Sequence, residues 1–325
     1  MILVTGANGL IGSFICKELA GLNLKFRALV RNKSDLHLLK DLNGAGELFE
    51  SDILDPITLE EAFEGITKVI HCAAIISFIP GNKNKMYKVN IEGTKNLVDL
   101  SLKYNIQKFI YLSSVAAVGK NKIDKTIDEN NTWPGTVAPT NYGKSKYLAE
   151  LEVWRGNMEG LPVITVIPSI VLGPGNWKKG STQLFHYVWK QSKFYKSGFL
   201  NYVDVRDLSK CVIQLIHSTI EGERFIVSAG RISYKEFFEK IAKQLNRKPP
   251  FIRARTFHLY LALFIDKVLS LFPGKEQKLS LETISQSNNE ITYSSHKIQK
   301  SINQSFKDID DTIHWACQIL KKNYG

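Results

Sequence analysis

Two side chains that could exchange protons stand four residues apart in this chain, Tyr142 and Lys146. On a helix this spacing places both of them on the same face. A free tyrosine has a pKa of about 10 and is a poor base near neutral pH, whereas a neighbouring ammonium favours the phenolate. We therefore expect Lys146 to lower the pKa of Tyr142 and to make its hydroxyl a general acid–base group.

A serine at the end of an apolar run could complete this pair. Ser113 and Ser114 follow residues 109–112, which read as a buried strand. A serine hydroxyl in that place could hold a substrate oxygen while the tyrosine exchanges its proton. The expected catalytic residues are Ser114, Tyr142 and Lys146.

Three glycines mark the first junction between a predicted strand and a predicted helix. Gly6 allows a tight turn, Gly9 lets the backbone approach a pyrophosphate, and Gly12 lets the helix lie close to the strand. The helix N-terminus offers N–H groups and the positive end of its dipole to phosphates. At this junction the GxxGxxG spacing predicts a dinucleotide site, with an ordinary turn as the alternative.

The end of the second predicted strand is basic, because Arg31 and Lys33 follow it. A site for NAD usually has an acidic residue there, which holds the ribose 2′-hydroxyl. Cations suit a 2′-phosphate instead, so the expected cofactor is NADP, with NAD or a pair of surface cations as alternatives. Asp52 and Ile53 follow the third strand and are placed to meet the adenine, although an aspartate there could also be a turn residue.

Short apolar runs alternate with amphipathic stretches through the first half of the chain, which predicts an α/β fold with a Rossmann-type, doubly wound parallel sheet. The pattern loosens after Gly173, so we expect a dinucleotide-binding core over residues 1–172. A smaller C-terminal α/β region over residues 173–325 should mainly bind substrate, with the chain crossing back to the core. The predicted strands are 2–4, 26–30, 68–70, 109–112, 163–167 and 224–227, and the predicted helices are 10–19, 89–102, 142–154, 234–244, 257–272 and 310–320.

The composition is that of an ordinary globular protein, with 44% hydrophobic and 23% charged residues. The chain opens on strand-like residues with no secretory pattern, so a cytoplasmic location is expected. Its four cysteines lie far apart with no metal spacing, which predicts reduced thiols and no metal site. The net charge of +12 comes with no nucleic-acid motif, so no nucleic-acid partner is expected.

These motifs, in this order, resemble the extended short-chain dehydrogenase/reductase family, also called the NAD-dependent epimerase/dehydratase family. The resemblance covers most of the chain and includes the glycine turn, the Ser113–Ser114 strand end and the segment from Tyr142 to Lys146. Further matching segments are 52–53, 71–74, 89–94, 168–175, 202–208 and 293–297.

The resemblance implies roles for residues that the motifs alone do not explain. Ala73 and Ala74 would line the cofactor, residues 168–170 would pass under the nicotinamide, and Asn90 would support the active-site strand and helix. Lys146 would also contact the nicotinamide ribose. Asp207 would cap the helix that follows it, with a contact to substrate as the alternative. The full set expected at the cofactor is Gly6, Asn8, Gly9, Leu10, Ile11, Gly12, Arg31, Lys33, Asp52, Ile53, Ala73, Ala74, Asn90, Tyr142, Lys146, Pro168 and Ile170.

Departures from the family pattern narrow the expected activity. Sugar-nucleotide dehydratases carry an Asp-Glu pair where this chain has Val115 and Ala116, and many epimerases carry a tyrosine where it has Val118. The basic strand end and the apolar loop 75–80 look most like bacterial dihydroflavonol-reductase-like and 3β-hydroxysteroid-dehydrogenase-like proteins.

The resulting hypothesis is hydride transfer between NADP(H) and a secondary alcohol or ketone of an apolar small molecule. A sugar-nucleotide epimerase using the same tyrosine and lysine is the alternative. A non-enzymatic nucleotide-sensing module is disfavoured, because such family members typically lose the tyrosine or the lysine and both are present here.

Residues 257–272 form an apolar stretch with no polar face. Its 16 residues are fewer than the roughly 20 that span a bilayer, so we expect burial in the substrate region or at a subunit contact. Cations precede it, including Arg253 and Arg255, and peripheral contact with an anionic membrane is the alternative. Related enzymes often form homodimers through helices like 89–102 and 142–154, so a homodimer is a further expectation.

Overall fold

The computed structural model describes residues 1–31, 36–42, 44–119, 125–131, 133, 140–255, 257–258, 263, 266 and 290–324. The strands are β1 Ile2–Thr5, β2 Phe26–Val30, β3 Glu47–Glu50, β4 Lys68–His71, β5 Lys108–Leu112, β6 Thr126–Ile127, β7 Val163–Pro168, β8 Ile170–Leu172, β9 Phe194–Lys196, β10 Phe199–Asp204, β11 Glu223–Val227, β12 Gly230–Ser233, β13 Ile252–Ala254 and β14 Thr292–Tyr293. The helices are α1 Leu10–Gly21, α2 Pro56–Glu61, α3 Lys83–Tyr87, α4 Gly93–Lys103, α5 Asn141–Met158, α6 Gln183–Trp189, α7 Val205–His217, α8 Tyr234–Leu245, α9 His296–Ile302 and α10 Ile309–Tyr324.

Seven strands form one parallel sheet in the order β11-β7-β5-β4-β1-β2-β3, which confirms the predicted Rossmann-type fold. The direction of winding reverses between β1 and β4, which pair in register from Ile2 opposite Lys68 to Thr5 opposite His71. Open α/β sheets bind their ligands beyond the carboxyl ends of the strands at such a reversal. The ends of β1 and β4 therefore mark where a ligand site should lie.

Apolar side chains cover both faces of this sheet. One face packs against α1 and α7, where Ile15 and Val212 are fully buried. The other face packs against α4 and α5, where Leu97 and Val153 are fully buried. Because both faces are covered, the strands read as continuous apolar runs rather than alternating ones.

The second half of the chain completes the large sheet with β11 and adds a three-stranded sheet in the order β12-β10-β8. In this smaller sheet Tyr202 lies opposite Ile170 in a parallel pair and opposite Gly230 in an antiparallel pair. Helices α8 and α10 cover it through a separate apolar core that includes Phe237 and Ile313. The β8–β10 pair joins the end of β7 to this core, so the smaller sheet lies beside the carboxyl edge of the large one.

The helix predicted over residues 89–102 differs in one respect from the structure. It begins with a π-helical segment, Lys88–Glu92, and continues as α4. Such segments often occur at functional sites, and this one carries Asn90. The stretch predicted as a helix over residues 257–272 lies outside the described residues, apart from 257, 258, 263 and 266. Over the ranges that the structure describes, no helix has the length and apolar character needed to cross a membrane.

Candidate active site

The glycine turn between β1 and α1 is closed so tightly that two of its positions have no room for a side chain. Gly6 has a φ of +65°, and a Cβ there would lie 2.8 Å from the backbone nitrogen and Cα of Ala73. A Cβ on Gly12 would lie 2.3 Å from the carbonyl oxygen of Gly6. The turn therefore lies directly against both the end of β4 and the first turn of α1.

The N-terminus of α1 is open at this turn. Gly9 is its exposed N-cap residue and supplies no side-chain hydrogen bond. Asn8, Leu10 and Ile11 are partly buried around it, and Leu10 packs against the segment that contains Gly173. Uncapped N–H groups and the positive end of the helix dipole form a cradle that fits a pyrophosphate.

A buried chain of hydrogen bonds joins β1, β4 and α4 beside the turn. Ala73 donates its N–H to Thr5 Oγ1, which lies 2.8 Å from His71 Nδ1. His71 Nε2 lies 3.0 Å from Thr94 Oγ1, and that hydroxyl donates to the carbonyl oxygen of Asn90. Since the Thr94 hydroxyl donates to Asn90, the His71 Nε2–H donates to Thr94. Burial together with the Lys146 charge holds the pKa of His71 well below its usual value, so the ring is neutral and its Nδ1 accepts the Thr5 hydroxyl proton.

The residues expected at the adenosine end take different positions. Arg31 is exposed at the end of β2, where a phosphate could reach it, and Lys33 lies outside the described residues. Asp52 accepts the N–H of Leu54 at 3.0 Å, which is a turn contact. Ile53 is buried, and a Cβ on Gly93 would lie 2.4 Å from its Cδ1, so its side chain belongs to the core between β3 and α4.

Ser114 and Tyr142 lie side by side where β5 ends and α5 begins. Ser114 caps the short turn Val115–Ala117 by accepting the N–H of Ala116 at 3.2 Å. The helix carrying Tyr142 packs closely on this turn, since a Cβ on Gly143 would lie 2.4 Å from the carbonyl oxygen of Ala116. The structure thus brings the predicted serine and tyrosine together.

The direction predicted for the pKa of Tyr142 is wrong. Burial raises the pKa of Tyr142 to about 12, and the neighbouring Ser114 hydroxyl only partly opposes that effect. The charge of Lys146 does not outweigh the effect of burial on Tyr142, because the lysine ammonium bonds instead to the Leu112 carbonyl oxygen, to which it donates at 2.7 Å. At neutral pH Tyr142 therefore carries its proton.

Lys146 is almost fully buried, at 2% exposure. Besides its hydrogen bond to Leu112, its Nζ lies 4.1 Å from the centre of the Tyr111 ring. Burial lowers the pKa of Lys146 to about 7, while the Glu150 carboxylate raises it. The lysine is thus poised near neutrality between its charged and neutral forms.

Asn90 connects the loop after β4 to α5, the helix that carries Tyr142 and Lys146. Its amide accepts the N–H of Ile75 at 2.8 Å and donates to the carbonyl oxygen of Ile75 at 3.0 Å. It also donates to Ser145 Oγ at 2.9 Å, and Ser145 in turn donates to the Tyr142 carbonyl oxygen. With its amide bonded to protein on both sides and 1% exposed, Asn90 supports the site rather than facing a ligand.

An apolar loop, residues 75–80, follows the end of β4 and reaches Tyr142. The ring of Phe78 meets the ring of Tyr142 edge-on, with centroids 6.1 Å apart and planes at 73°. Ile76 of the same loop is 60% exposed. An aromatic side chain of this loop therefore packs against the ring of the predicted catalytic tyrosine.

The remaining predicted positions frame the far side of the cleft. Pro168 lies opposite Val227 in the large sheet, and Ser169 donates its N–H to the Val227 carbonyl oxygen, which leads the chain directly into β8 at Ile170. Ala73 and Ala74 are partly buried at the end of β4.

Asp207 was expected to cap the following helix, and this is wrong. Asp204 caps α7 by accepting the N–H of Arg206 at 2.8 Å. Asp207 lies in the first turn of α7 and accepts the N–H of Lys307 at 2.7 Å. It therefore anchors the segment between α9 and α10.

Sequence reasoning assigned no role to several residues of this buried network, including Thr94, Ser145 and Ser113. Ser113 donates to Glu150 Oε2 at 2.8 Å. The spacing of Glu150, one helical turn after Lys146, predicts that these two side chains lie close together. The local sequence does not indicate that Glu150 is buried.

Comparison with known proteins identifies one family and several relatives within it. The chain matches the model of the NAD dependent epimerase/dehydratase family over residues 2–227. It is 28% identical over 254 residues to sterol demethylase protein B of Methylococcus capsulatus, covering 76% of this chain and 75% of that protein. It is 26% identical over 332 residues to a Synechocystis sp. protein with the provisional name dihydroflavonol 4-reductase, covering 96% and 93% of the two chains.

Two solved structures superpose over the whole chain. The crystal structure of gox2253 gives a TM-score of 0.85 at 29% identity, covering 100% of this chain and 98% of that one. The UDP-glucose 4-epimerase of Thermotoga maritima, solved with UDP-glucose, gives a TM-score of 0.80 at 19% identity, covering 100% and 99%. The second likeness is one of fold alone.

A Rossmann sheet with a glycine turn and an uncapped helix N-terminus at its switch point, together with a half-buried serine beside a buried tyrosine and lysine, is typical of a nucleotide-dependent enzyme class. The chain belongs to the NAD dependent epimerase/dehydratase family, and it is an enzyme of the extended short-chain dehydrogenase/reductase type that uses a nicotinamide cofactor.

Proposed function

We propose that this protein transfers a hydride between NADP(H) and a secondary alcohol or ketone of an apolar small molecule. The edge-on contact between the rings of Phe78 and Tyr142 supports the proposal, because an aromatic side chain packs against the residue that would exchange the proton. A substrate whose carbonyl reaches that hydroxyl would meet apolar surface on this side. The residues after Ser114 are Val115 and Ala116, which offer no second acid–base pair for the elimination of water.

In this proposal Tyr142 is the proton donor in the reducing direction. Its hydroxyl is protonated at neutral pH, since burial raises the pKa of Tyr142 to about 12. Ser114, beside it, would hold the substrate oxygen in place while the proton moves. The charge of Lys146, one helical turn away, would stabilise the phenolate that forms, and the reverse reaction would return the proton to Tyr142.

The cofactor's contribution is the hydride that it donates or accepts, and the chain's contribution is to hold it. The cradle of Gly9, Leu10 and Ile11 would bind the pyrophosphate, with Gly6, Asn8 and Gly12 shaping the turn. Ala73, Ala74, Pro168 and Ile170 would line the nicotinamide half. Asn90 would hold the loop at Ile75 against the helix that carries Tyr142.

We assign NADP rather than NAD as the preferred cofactor because Arg31 ends β2 and is exposed there. A guanidinium forms strong, charge-assisted hydrogen bonds to a phosphate, and the 2′-phosphate of NADP would come to this strand end. Asp52 would lie on the adenine side.

We further propose that residues 1–172 mainly hold the cofactor and residues 173–325 mainly hold the substrate, in a cytoplasmic enzyme. A homodimer through α4 and α5 is an accessory part of this proposal, and peripheral membrane contact near Arg253 and Arg255 is the alternative to burial of residues 257–272. Oligomeric state by light scattering and co-sedimentation with anionic liposomes at low and high salt test them.

The reaction is tested by a substrate screen with two readouts: the absorbance of the reduced nicotinamide reports ketone reduction, and chromatography of the sugar nucleotides reports epimerisation, which leaves no net reduced cofactor. Aromatic and alicyclic ketones would be offered with NADPH, and UDP-sugars would be offered in parallel with NAD and with NADP. Turnover of apolar ketones with NADPH supports the proposal. Interconversion of UDP-sugars with no ketone reduction overturns it in favour of an epimerase.

A further inference from the structure

A buried carboxylate, that of Glu150, lies behind the catalytic residues and has no part in the proposed chemistry above. Glu150 stands one helical turn after Lys146 and two after Tyr142 on α5, and it is 3% exposed. Glutamate is rarely buried to this extent unless it is paired with other groups. The hydrogen-bond and ion-pair partners of Glu150 therefore indicate the role of its carboxylate.

Glu150 bonds to two strands of the sheet that α5 packs against. Its Oε2 accepts the hydroxyl proton of Ser113 at 2.8 Å, and its Oε1 lies 3.1 Å from Arg224 Nη2 on β11. Arg224 is half-buried and Ser113 is buried, so both contacts are shielded from solvent. Removal of either contact would leave a charged or polar group unpaired inside the protein.

The contact with Ser113 bears directly on the catalytic residues. Ser113 is the neighbour of Ser114 in the chain, and it follows Leu112, whose carbonyl oxygen accepts the Lys146 ammonium at 2.7 Å. The end of β5 is thus bonded to α5 twice, by Lys146 through Leu112 and by Glu150 through Ser113. Two such contacts on adjacent residues fix the position of Ser114 relative to Tyr142.

The charge of Glu150 also matters, because the other groups that face Lys146 supply no negative charge. His71 is neutral, Tyr111 offers the face of its ring, and burial raises the pKa of the Cys72 thiol so that it stays protonated. Tyr142 keeps its proton at neutral pH. Among the described groups around Lys146, the Glu150 carboxylate is the one anion, and it raises the pKa of that lysine against the effect of burial.

We propose that Glu150 is a positioning residue that fixes Ser114 against Tyr142 through Ser113 and supplies the negative charge that keeps the Lys146 ammonium charged. The proposal rests on the proposed function, because it takes Ser114, Tyr142 and Lys146 as the reacting set. Arg224 completes it by neutralising the outer side of the carboxylate.

The first test measures the lysine directly and needs no substrate. NMR of isotope-labelled lysine side chains should show one lysine that titrates near pH 7, and Lys146→Arg should remove that resonance. In Glu150→Gln it should titrate at a pH lower by about one unit, because an opposite charge has been lost. The matched control is Glu152→Gln, whose carboxylate pairs with Arg155 on the same helix and should change nothing. An unchanged titration in Glu150→Gln overturns the proposal.

The second test uses the reaction. In Glu150→Gln we expect kcat to fall by about tenfold or more while KM and the Kd of NADPH change by less than about threefold. The alkaline limb of the kcat profile should move to lower pH, because Lys146 loses its proton sooner. A uniform fall in kcat with an unmoved limb would mean a purely structural role and overturns the proposal.

The two tests separate this proposal from the proposed function. If the wild-type protein reduces no ketone of the panel, the proposed function fails, while the lysine titration still decides whether Glu150 sustains the charge of Lys146. If Glu150→Gln does not fold, the double variant Glu150→Gln, Arg224→Gln removes the unpaired cation. Titration of its lysine below the wild-type value supports the proposal, and titration at the wild-type value overturns it.

Discussion

Thr5 Oγ1 and His71 Nδ1 lie 2.8 Å apart where β1 and β4 end side by side at the switch point of the sheet. This contact, with that of His71 to Thr94, uses both ring nitrogens of a fully buried histidine. Burial and the Lys146 charge keep this ring neutral, and the neutral ring is part of the framework that holds the glycine turn against β4.

The first prediction follows from that neutral histidine. Burial and the Lys146 charge hold the folded-state pKa of His71 well below its unfolded value of about 6.5. Below about pH 6.5 the unfolded chain binds a proton at His71 that the folded protein does not bind. The free energy of unfolding therefore falls as the pH decreases. The contribution to the slope is at most about 1.4 kcal/mol per pH unit.

Urea unfolding at neutral and mildly acidic pH measures this effect. His71→Gln should be less stable than the wild type at pH 7, but its stability should fall less steeply below about pH 6.5. The control is His296→Gln, at an exposed position, which should keep the wild-type slope. Identical slopes for the wild type and His71→Gln would show that His71 is not the group responsible.

The second prediction concerns the closeness of the glycine turn. A Cβ on Gly12 would lie 2.3 Å from the Gly6 carbonyl oxygen, so Gly12→Ala must displace α1 from the turn. We expect destabilisation of about 1–3 kcal/mol and at least about tenfold weaker NADPH binding. Gly21→Ala at the other end of α1, where a Cβ meets nothing within 4 Å, is the control and should stabilise slightly. NADPH binding at the wild-type affinity in Gly12→Ala would contradict the claim that the glycine turn and the start of α1 bind the pyrophosphate.

The third prediction concerns cofactor choice. Arg31→Ala should weaken NADPH binding by about 1.5–3 kcal/mol, because a charge-assisted contact to the 2′-phosphate is lost. Binding of NADH, which lacks that phosphate, should be unaffected and serves as the internal control. Titrations by intrinsic fluorescence give both dissociation constants. Equal affinity of the wild type for the two cofactors would argue against the preference for NADP.

Much of the fold could be predicted from the sequence because its strands are covered on both faces. The runs at residues 2–4 and 26–30 are continuous and apolar, and the structure has strands there. The three-stranded sheet could not be predicted, since β8 has only three residues and β10 mixes apolar and polar positions. Its pairing depends on contacts between residues about 30 positions apart, such as Ile170 and Tyr202.

The candidate site also has features that the sequence predicts and features that only the fold determines. The shared face of Tyr142 and Lys146 follows from the helical period alone. The rise in the pKa of Tyr142 does not follow from the sequence, because the fold decides how deeply the phenol is buried and which group the Lys146 ammonium contacts. Asp204 rather than Asp207 caps α7 because the helix begins one residue after Asp204, and helix ends are poorly defined by sequence.

The fourth prediction concerns the apolar loop. Phe78→Ala removes the ring that meets Tyr142 edge-on, so an apolar ketone should lose contact area and bind more weakly by about 1.5–3 kcal/mol. The effect should appear as a higher KM for apolar ketones, with the Kd of NADPH unchanged. Ile57→Ala, a highly exposed position on α2, is the control. A KM unaltered by Phe78→Ala would mean that the ring packs against the protein only.

The last prediction addresses hydride transfer with Tyr142 as proton donor, and it is the most direct test of the account. Tyr142→Phe removes one hydroxyl and keeps the ring that packs against Phe78, so folding and NADPH binding should stay close to those of the wild type. With an apolar ketone that the wild type reduces, kcat should fall by about a hundredfold or more, the scale of a lost general acid. The measurement is kcat and the Kd of NADPH on the same two preparations. A Tyr142→Phe protein with wild-type kcat would contradict the account.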